Sequence, residues 1–340
     1  MKHLFFTCLL IIAAAFPAAA AQRGQATMTW LGIASSPRDE AMGSVSSLGD
    51  ASASCTFTNP AGLGRIERGS VYLAHTSWLA EMSVIDLAVA YSVPNIGTFG
   101  IAVRSMDYGD FIFTKVALNA QGYNITPSDS TGTVAGTMIG VAYGRELTDK
   151  FSVGGQFKYV TDKLGVMDTY NSSTGIVSPM QEAKLSAMLF DFGTSYHTGW
   201  NGVILSMTIQ NFGSSQKASN GVEEFTPPLT FKVGLEADVL QFAQMQNDMA
   251  SVRVRLEGVD PRDDRENVNV GVEVELNPVE KVMLALRGGW ARRDVGGMSL
   301  GFGLGMPEII GGVGGTFDYS YSNYGDILGS VNRFGLSVSF

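Results

Sequence analysis

Arg333-Phe334-Gly335-Leu336-Ser337-Val338-Ser339-Phe340 ends the chain, and its reading decides the fold. Side chains alternate across a strand, so Phe334, Leu336, Val338 and Phe340 share one side, and Gly335, Ser337 and Ser339 the other. No turn residue follows. An apolar strand left at the open edge of a soluble sheet invites aggregation. A transmembrane barrel needs such a strand, because pairing it with the first one closes the ring and leaves no backbone group unpaired in lipid.

The same alternation runs back to residue 70. At 84–93, Ile85, Leu87, Val89, Tyr91 and Val93 oppose Asp86, Ala88, Ala90 and Ser92. At 267–276, Val268, Val270, Val272, Val274 and Leu276 oppose Asn269, Gly271, Glu273 and Glu275. At 297–306, Met298, Leu300, Phe302, Leu304 and Met306 oppose Ser299, Gly301, Gly303 and Gly305. Fourteen such segments are expected, near 70–79, 84–93, 97–107, 132–145, 151–163, 185–197, 202–211, 229–238, 251–260, 267–276, 281–291, 297–306, 312–322 and 333–340. Most run about ten residues, the span of a tilted strand through a bilayer. Their even number suits a bacterial barrel, and the fold class is all-β: a transmembrane antiparallel barrel.

Connections alternate in length as well. Pro94-Asn95-Ile96, 146–150 and 198–201 are short, whereas 108–131, 164–184 and 212–228 are long. Barrels of this kind place short turns in the periplasm and long loops outside. Asn277-Pro278-Val279-Glu280 and Pro307-Glu308 keep to that rule, while 239–250 is longer than it requires.

At the other end, Lys2 and His3 precede an apolar run from Leu4 to Phe16 and the small residues Ala18-Ala19-Ala20-Ala21, the pattern of a cleaved export signal over 1–21. Lys2 is the only charge lost with it, so the net charge goes from −9 to −10 and nucleic acid is excluded as a partner. Cys55 is then the one remaining cysteine and can form no internal disulfide; it is expected as a small buried residue. After the signal no apolar run approaches the length of a membrane helix. Residues 22–69, rich in Ala, Ser and Gly, lack alternation and are expected to form an N-terminal plug inside a barrel of residues 70–340.

Three spaced segments carry a family resemblance: Asp39-Glu40-Ala41-Met42-Gly43, Asp50-Ala51-Ser52-Ala53 and Asn59-Pro60-Ala61-Gly62-Leu63. With His75-Thr76-Ser77-Trp78-Leu79-Ala80-Glu81 and Asp107-Tyr108-Gly109-Asp110, they resemble the N-terminal signature of the PorV/PorQ family over roughly residues 35–115. The resemblance implies a FadL-like outer-membrane barrel with an N-terminal hatch, and Asp50, Asn59, Pro60, Ala61 and Gly62 as its plug motif. It also implies a role in type IX protein secretion, with secretion components or the C-terminal domains of cargo as partners. The closing strand resembles the one read by the outer-membrane barrel insertion machinery, which joins outer-membrane lipids among the expected partners.

Residues able to carry chemistry are few. Arg253, Arg255 and Glu257 alternate with Val252, Val254 and Leu256, and Glu273, Glu275 and Arg287 stand on neighbouring strands; these are expected to face the lumen. Asp260 to Glu266 lacks the spacing and glycine of a calcium loop. Gly301-Phe302-Gly303-Leu304-Gly305 precedes no helix, so its glycines read as small inward residues that make room for a plug rather than as a phosphate loop. His75 and His197 lie on separate strands without a nucleophile elbow, so neither catalytic nor cofactor-binding residues are expected. Three functions remain open on the sequence: cargo handling in secretion, passive uptake of hydrophobic small molecules, and a porin-like structural role.

Overall fold

The structure, a computed structural model, describes residues 26–119, 122–171, 176–217, 224–245, 249–279, 281–292 and 297–340, so the export signal at 1–21 lies outside the described residues. The barrel strands are β1 (Gly69–Ser77), β2 (Ser83–Val93), β3 (Gly97–Asn119), β4 (Gly122–Thr148), β5 (Phe151–Asn171), β6 (Ile176–His197) and β7 (Ile204–Phe212). They continue as β8 (Thr230–Asp238), β9 (Ala250–Pro261), β10 (Asn267–Val279), β11 (Val282–Ala291), β12 (Met298–Ile310), β13 (Val313–Asn323) and β14 (Ser330–Ser339). Each pairs antiparallel with its sequence neighbour, and β14 returns to β1, closing a fourteen-strand barrel. A two-residue pair, Gln216–Lys217 with Glu224–Phe225, stands apart from it.

Closure rests on the terminal stretch. Ser70 to Ser77 face Ser339 to Asn332 in unbroken register. Gly69 and Phe340 exchange both backbone hydrogen bonds, at 2.9 and 3.0 Å. Outward residues form an apolar belt that includes Leu73, Ile85, Leu87, Val141, Met207, Val272, Leu300, Phe334 and Leu336, all exposed on the outer surface. In water so much apolar surface would be untenable. A closed barrel clad this way is an integral protein of the bacterial outer membrane.

Two expected loops differ from expectation. β3 and β4 run on as a ladder to Asn119 and Gly122, and β5 and β6 to Asn171 and Ile176, through most of 108–131 and 164–184. β3 alone has 23 residues, more than twice what a tilted strand needs to cross the bilayer, about ten. The sequence of these extensions lacks the apolar alternation of the membrane-spanning stretches, although the backbone ladder continues. Register breaks at Asp107/Asp110 and Lys163/Val166 scramble what alternation remains. Gly109 and Gly165, in the left-handed region at φ +80° and +88°, stand at those breaks. The connection after β8, longer than the loop-length rule requires, contains a helical turn, Val239–Phe242. Its first N–H groups, of Leu240 and Gln241, are capped by the Asp238 carboxylate at 2.9 and 3.3 Å.

Residues 26–68 lie within the ring. Helix α1 (Pro37–Ala41) packs on β11, β12, β13 and β14. The 3-10 turns Ala53–Thr56 and Pro60–Arg65 reach the opposite arc, the first on β1 to β3 and the second on β3 to β6.

Candidate functional site: the packed lumen

Inward glycines let the N-terminal segment lie against the wall. A side chain at Gly271 would meet the backbone of Met42, and one at Gly289 the backbone of Met42 and Gly43. Across the lumen, Gly144, Gly154 and Gly193 fill the same office for Asn59, Pro60 and Ala61; a Cβ at Gly144 would stand 2.5 Å from the Pro60 carbonyl oxygen. Of the glycines singled out on β12, Gly301 fits the expectation, with a would-be Cβ 2.6 Å from that of Ala41. Gly303 and Gly305 instead make room for wall side chains, Arg287 and Asp318 in one case and Met283 in the other. The sequence shows these glycines but not which backbone would approach them.

Asn59 fixes the motif. Its amide donates to the Ser47 carbonyl at 2.6 Å and to Thr194 of β6 at 3.2 Å, and its side-chain oxygen accepts the Ala61 N–H at 3.0 Å. Pro60 follows at the first position of the turn, where a missing N–H costs nothing. The Asp50 carboxylate accepts the hydroxyls of Ser52 and Ser54 at 2.9 and 3.0 Å and approaches Arg38 at 3.4 Å. Burial alone would raise its pKa; Arg38 and the two hydroxyls outweigh that and hold it below the usual carboxylate range. Cys55 is fully buried, its thiol donating to the Asp50 carbonyl, and burial pushes the thiol pKa well up. Gly62 leaves space for that sulfur.

Five of the six expected lumen charges form ion pairs, and Glu257 accepts backbone N–H groups. Glu273 gathers three guanidiniums: Arg38 at 2.8 and 3.0 Å, Arg253 at 2.7 Å and Arg287 at 2.6 Å. Arg253 and Arg287 are its cross-strand partners on β9 and β11, whereas Arg38 reaches in from α1. Arg253 also holds Glu275 at 2.9 Å. Arg255 joins Glu236 at 2.5 Å and Asp39 of α1 at 3.3 Å. Glu257 accepts the backbone N–H groups of Ser46 and Ser47 at 3.0 and 2.6 Å. Three of the six, Arg255, Glu257 and Glu273, therefore bind the N-terminal segment directly.

Sequence reading missed the partners supplied by other segments. Arg38, Asp39, Glu236 and Asp318 complete this network, and Arg333, inside the closing strand itself, lies 3.5 Å from Glu40 of α1. On the far wall Arg104 pairs with Asp86 at 2.6 Å and donates to the carbonyls of Leu31 and Ile33 at 3.2 and 3.0 Å. The signal for it was present in the inward phase of Asp86 and Arg104. Lys158 joins Asp191 and Asn211 at 2.7 and 2.6 Å.

The lumen is two-sided. Charges line β8 to β14, but toward the long-loop end β2 to β6 turn inward Val84, Met106, Met138, Val160, Leu185 and Leu189. Met28, Trp30, Leu31 and Ile33 cover that apolar wall, the Trp30 indole lying over Gly136. Between the N-terminal segment and the strands from β7 to β11 a cavity of about 330 Å³ remains, lined by Leu31, Ile33, Phe57, Lys232, Glu257 and Asn269 among others.

No family model and no curated protein matches the chain. Solved structures do match in fold. The Pseudomonas putida toluene transporter TodX aligns over 94% of this chain and 99% of its own, at 11% identity and a TM-score of 0.58. The Ralstonia pickettii toluene transporter TbuX aligns over 89% and 96%, at 14% identity and 0.54. A Pseudomonas aeruginosa FadL homologue aligns over 90% and 98%, at 10% identity and 0.50. The chain thus has the fold of FadL-like outer-membrane barrels.

Proposed function

We propose that the protein is a passive channel for small apolar molecules across the outer membrane, with residues 26–68 as its plug. The observation that carries this reading is the cavity at the long-loop end, where Leu31, Ile33 and Phe57, packed on the apolar inner wall of β2 to β6, supply apolar lining. A small apolar solute gains burial against the Leu31, Ile33 and Phe57 side chains of that cavity. Proteins described as toluene transporters share the fold, and this chemistry agrees with theirs.

Cargo handling in type IX secretion is the second reading, favoured by the motif series at Asp39, Asp50 and Asn59. Those residues are engaged in seating the plug, a task common to both functions, and the apolar lining of the cavity supports transport. Uptake of isotope-labelled toluene by a deletion strain and its complemented parent tests the proposal. Slower uptake in the deletion strain, restored by the gene, is expected. Equal uptake in both would overturn transport, and stranded periplasmic cargo in that strain would restore the secretion reading.

A further inference from the structure

The lipid-facing wall carries a second recess, which shares Val259, Asn267 and Arg292 with the lumen cavity but does not depend on the transport reading. It measures about 290 Å³ and is framed by Phe231, Val233, Gly258, Val268 and Trp290. Gly258 makes it. On β9 the outward positions run Val252, Val254, Leu256, Gly258, and then the polar Asp260. The cross-strand partners of Gly258 are Val233 and Val268, so one side chain is missing from a continuous apolar row. Neither sterics nor backbone demands glycine there: a Cβ would meet nothing within 4 Å, and φ is not in the left-handed region. The gap lies at the upper edge of the apolar belt, where Asp260, Glu266 and Arg292 form its polar rim.

We propose that this notch is a binding site for one zwitterionic phospholipid. Its volume is that of about ten water molecules at ~30 Å³ each, room for one acyl-chain segment. The surrounding valines and Trp290 supply apolar contact, with the indole at headgroup level. Arg292 is exposed and makes no ion pair among the described residues, which leaves it to a phosphate group. Asp260 and Glu266 on the same rim repel a purely anionic headgroup but complement the ammonium of phosphatidylethanolamine. Cation and acids side by side match a head bearing both signs.

The full-length barrel, purified in detergent and stripped of lipid, is titrated with palmitoyl-oleoyl phosphatidylethanolamine or phosphatidylglycerol and weighed by native mass spectrometry. Wild type should retain one phosphatidylethanolamine, at least fivefold more than Gly258→Leu, whose side chain fills the notch. Gly288→Leu, at an outward position of β11 with only an ordinary contact nearby, should retain it like wild type. Arg292→Gln should retain less, and phosphatidylglycerol should bind wild type at least threefold less. Equal retention by Gly258→Leu and wild type overturns the site. So does an absence of retained lipid in wild type, or a preference for phosphatidylglycerol.

Discussion

Asn59 has an amide that bonds both to the plug and to the wall, while its side-chain oxygen caps the turn that follows. Asn59→Ala removes all three bonds from a fully buried position and should destabilise the plug's seat by about 1–2 kcal/mol. Faster maleimide labelling of Cys55, which is buried in wild type, would report it. Glu273 is a more demanding case. It is 1% exposed and shared by three arginines, so Glu273→Gln leaves the buried Arg287 and the partly buried Arg38 and Arg253 competing for the carboxylates that remain. Removing one partner of a buried pair costs about 3–5 kcal/mol, whereas the intact pair adds little net stability. The variant should unfold at lower urea in lipid vesicles. A midpoint equal to wild type would mean that Glu273 does not centre the network.

At the scale of strands, facing was legible wherever one side met lipid. β2, β10 and β12 present outward the residues their alternation assigned, because a lipid-facing row tolerates no polar exceptions. Val272 tests that facing: an arginine there should cost about 2–4 kcal/mol if the position meets mid-membrane lipid. Folding of Val272→Arg into bilayers as readily as wild type would refute the assignment. The full length of β3 to β6 was not legible, since the backbone ladder runs on through sequence without the apolar alternation that lipid imposes. Close approaches were legible only as glycines. Gly154→Val drives a branched side chain into the Pro60–Ala61 backbone, which cannot rotate away as a side chain could. It should displace the Pro60–Arg65 turn while leaving the barrel closed. The expected readout is at least a tenfold rise in Cys55 labelling with native heat-modifiable mobility on gels.

For the whole molecule, the sequence announced a closed barrel because its terminal strand had to find a partner, and β1 supplies one along its whole length. It did not announce how the lumen is divided, because that depends on which residues of 26–68 meet which strand, and several such pairs stand more than a hundred positions apart. Arg38 with Glu273 and Asn59 with Thr194 are examples. The division makes a prediction about the emptied barrel. Without residues 26–66 the wall keeps its own pairs, Asp86 with Arg104, Asp191 with Lys158, Glu236 with Arg255, and Glu273 with Arg253 and Arg287. Opposite charges therefore face the new pore in near balance, and neither ion sign is concentrated in it. The deletion variant should conduct steadily in planar bilayers, where the full chain does not, and its reversal potential across a potassium chloride gradient should stay near zero. Strong selectivity for either ion would mean that these wall pairs separate once the plug is gone, and that the plug orders the wall as well as blocking it.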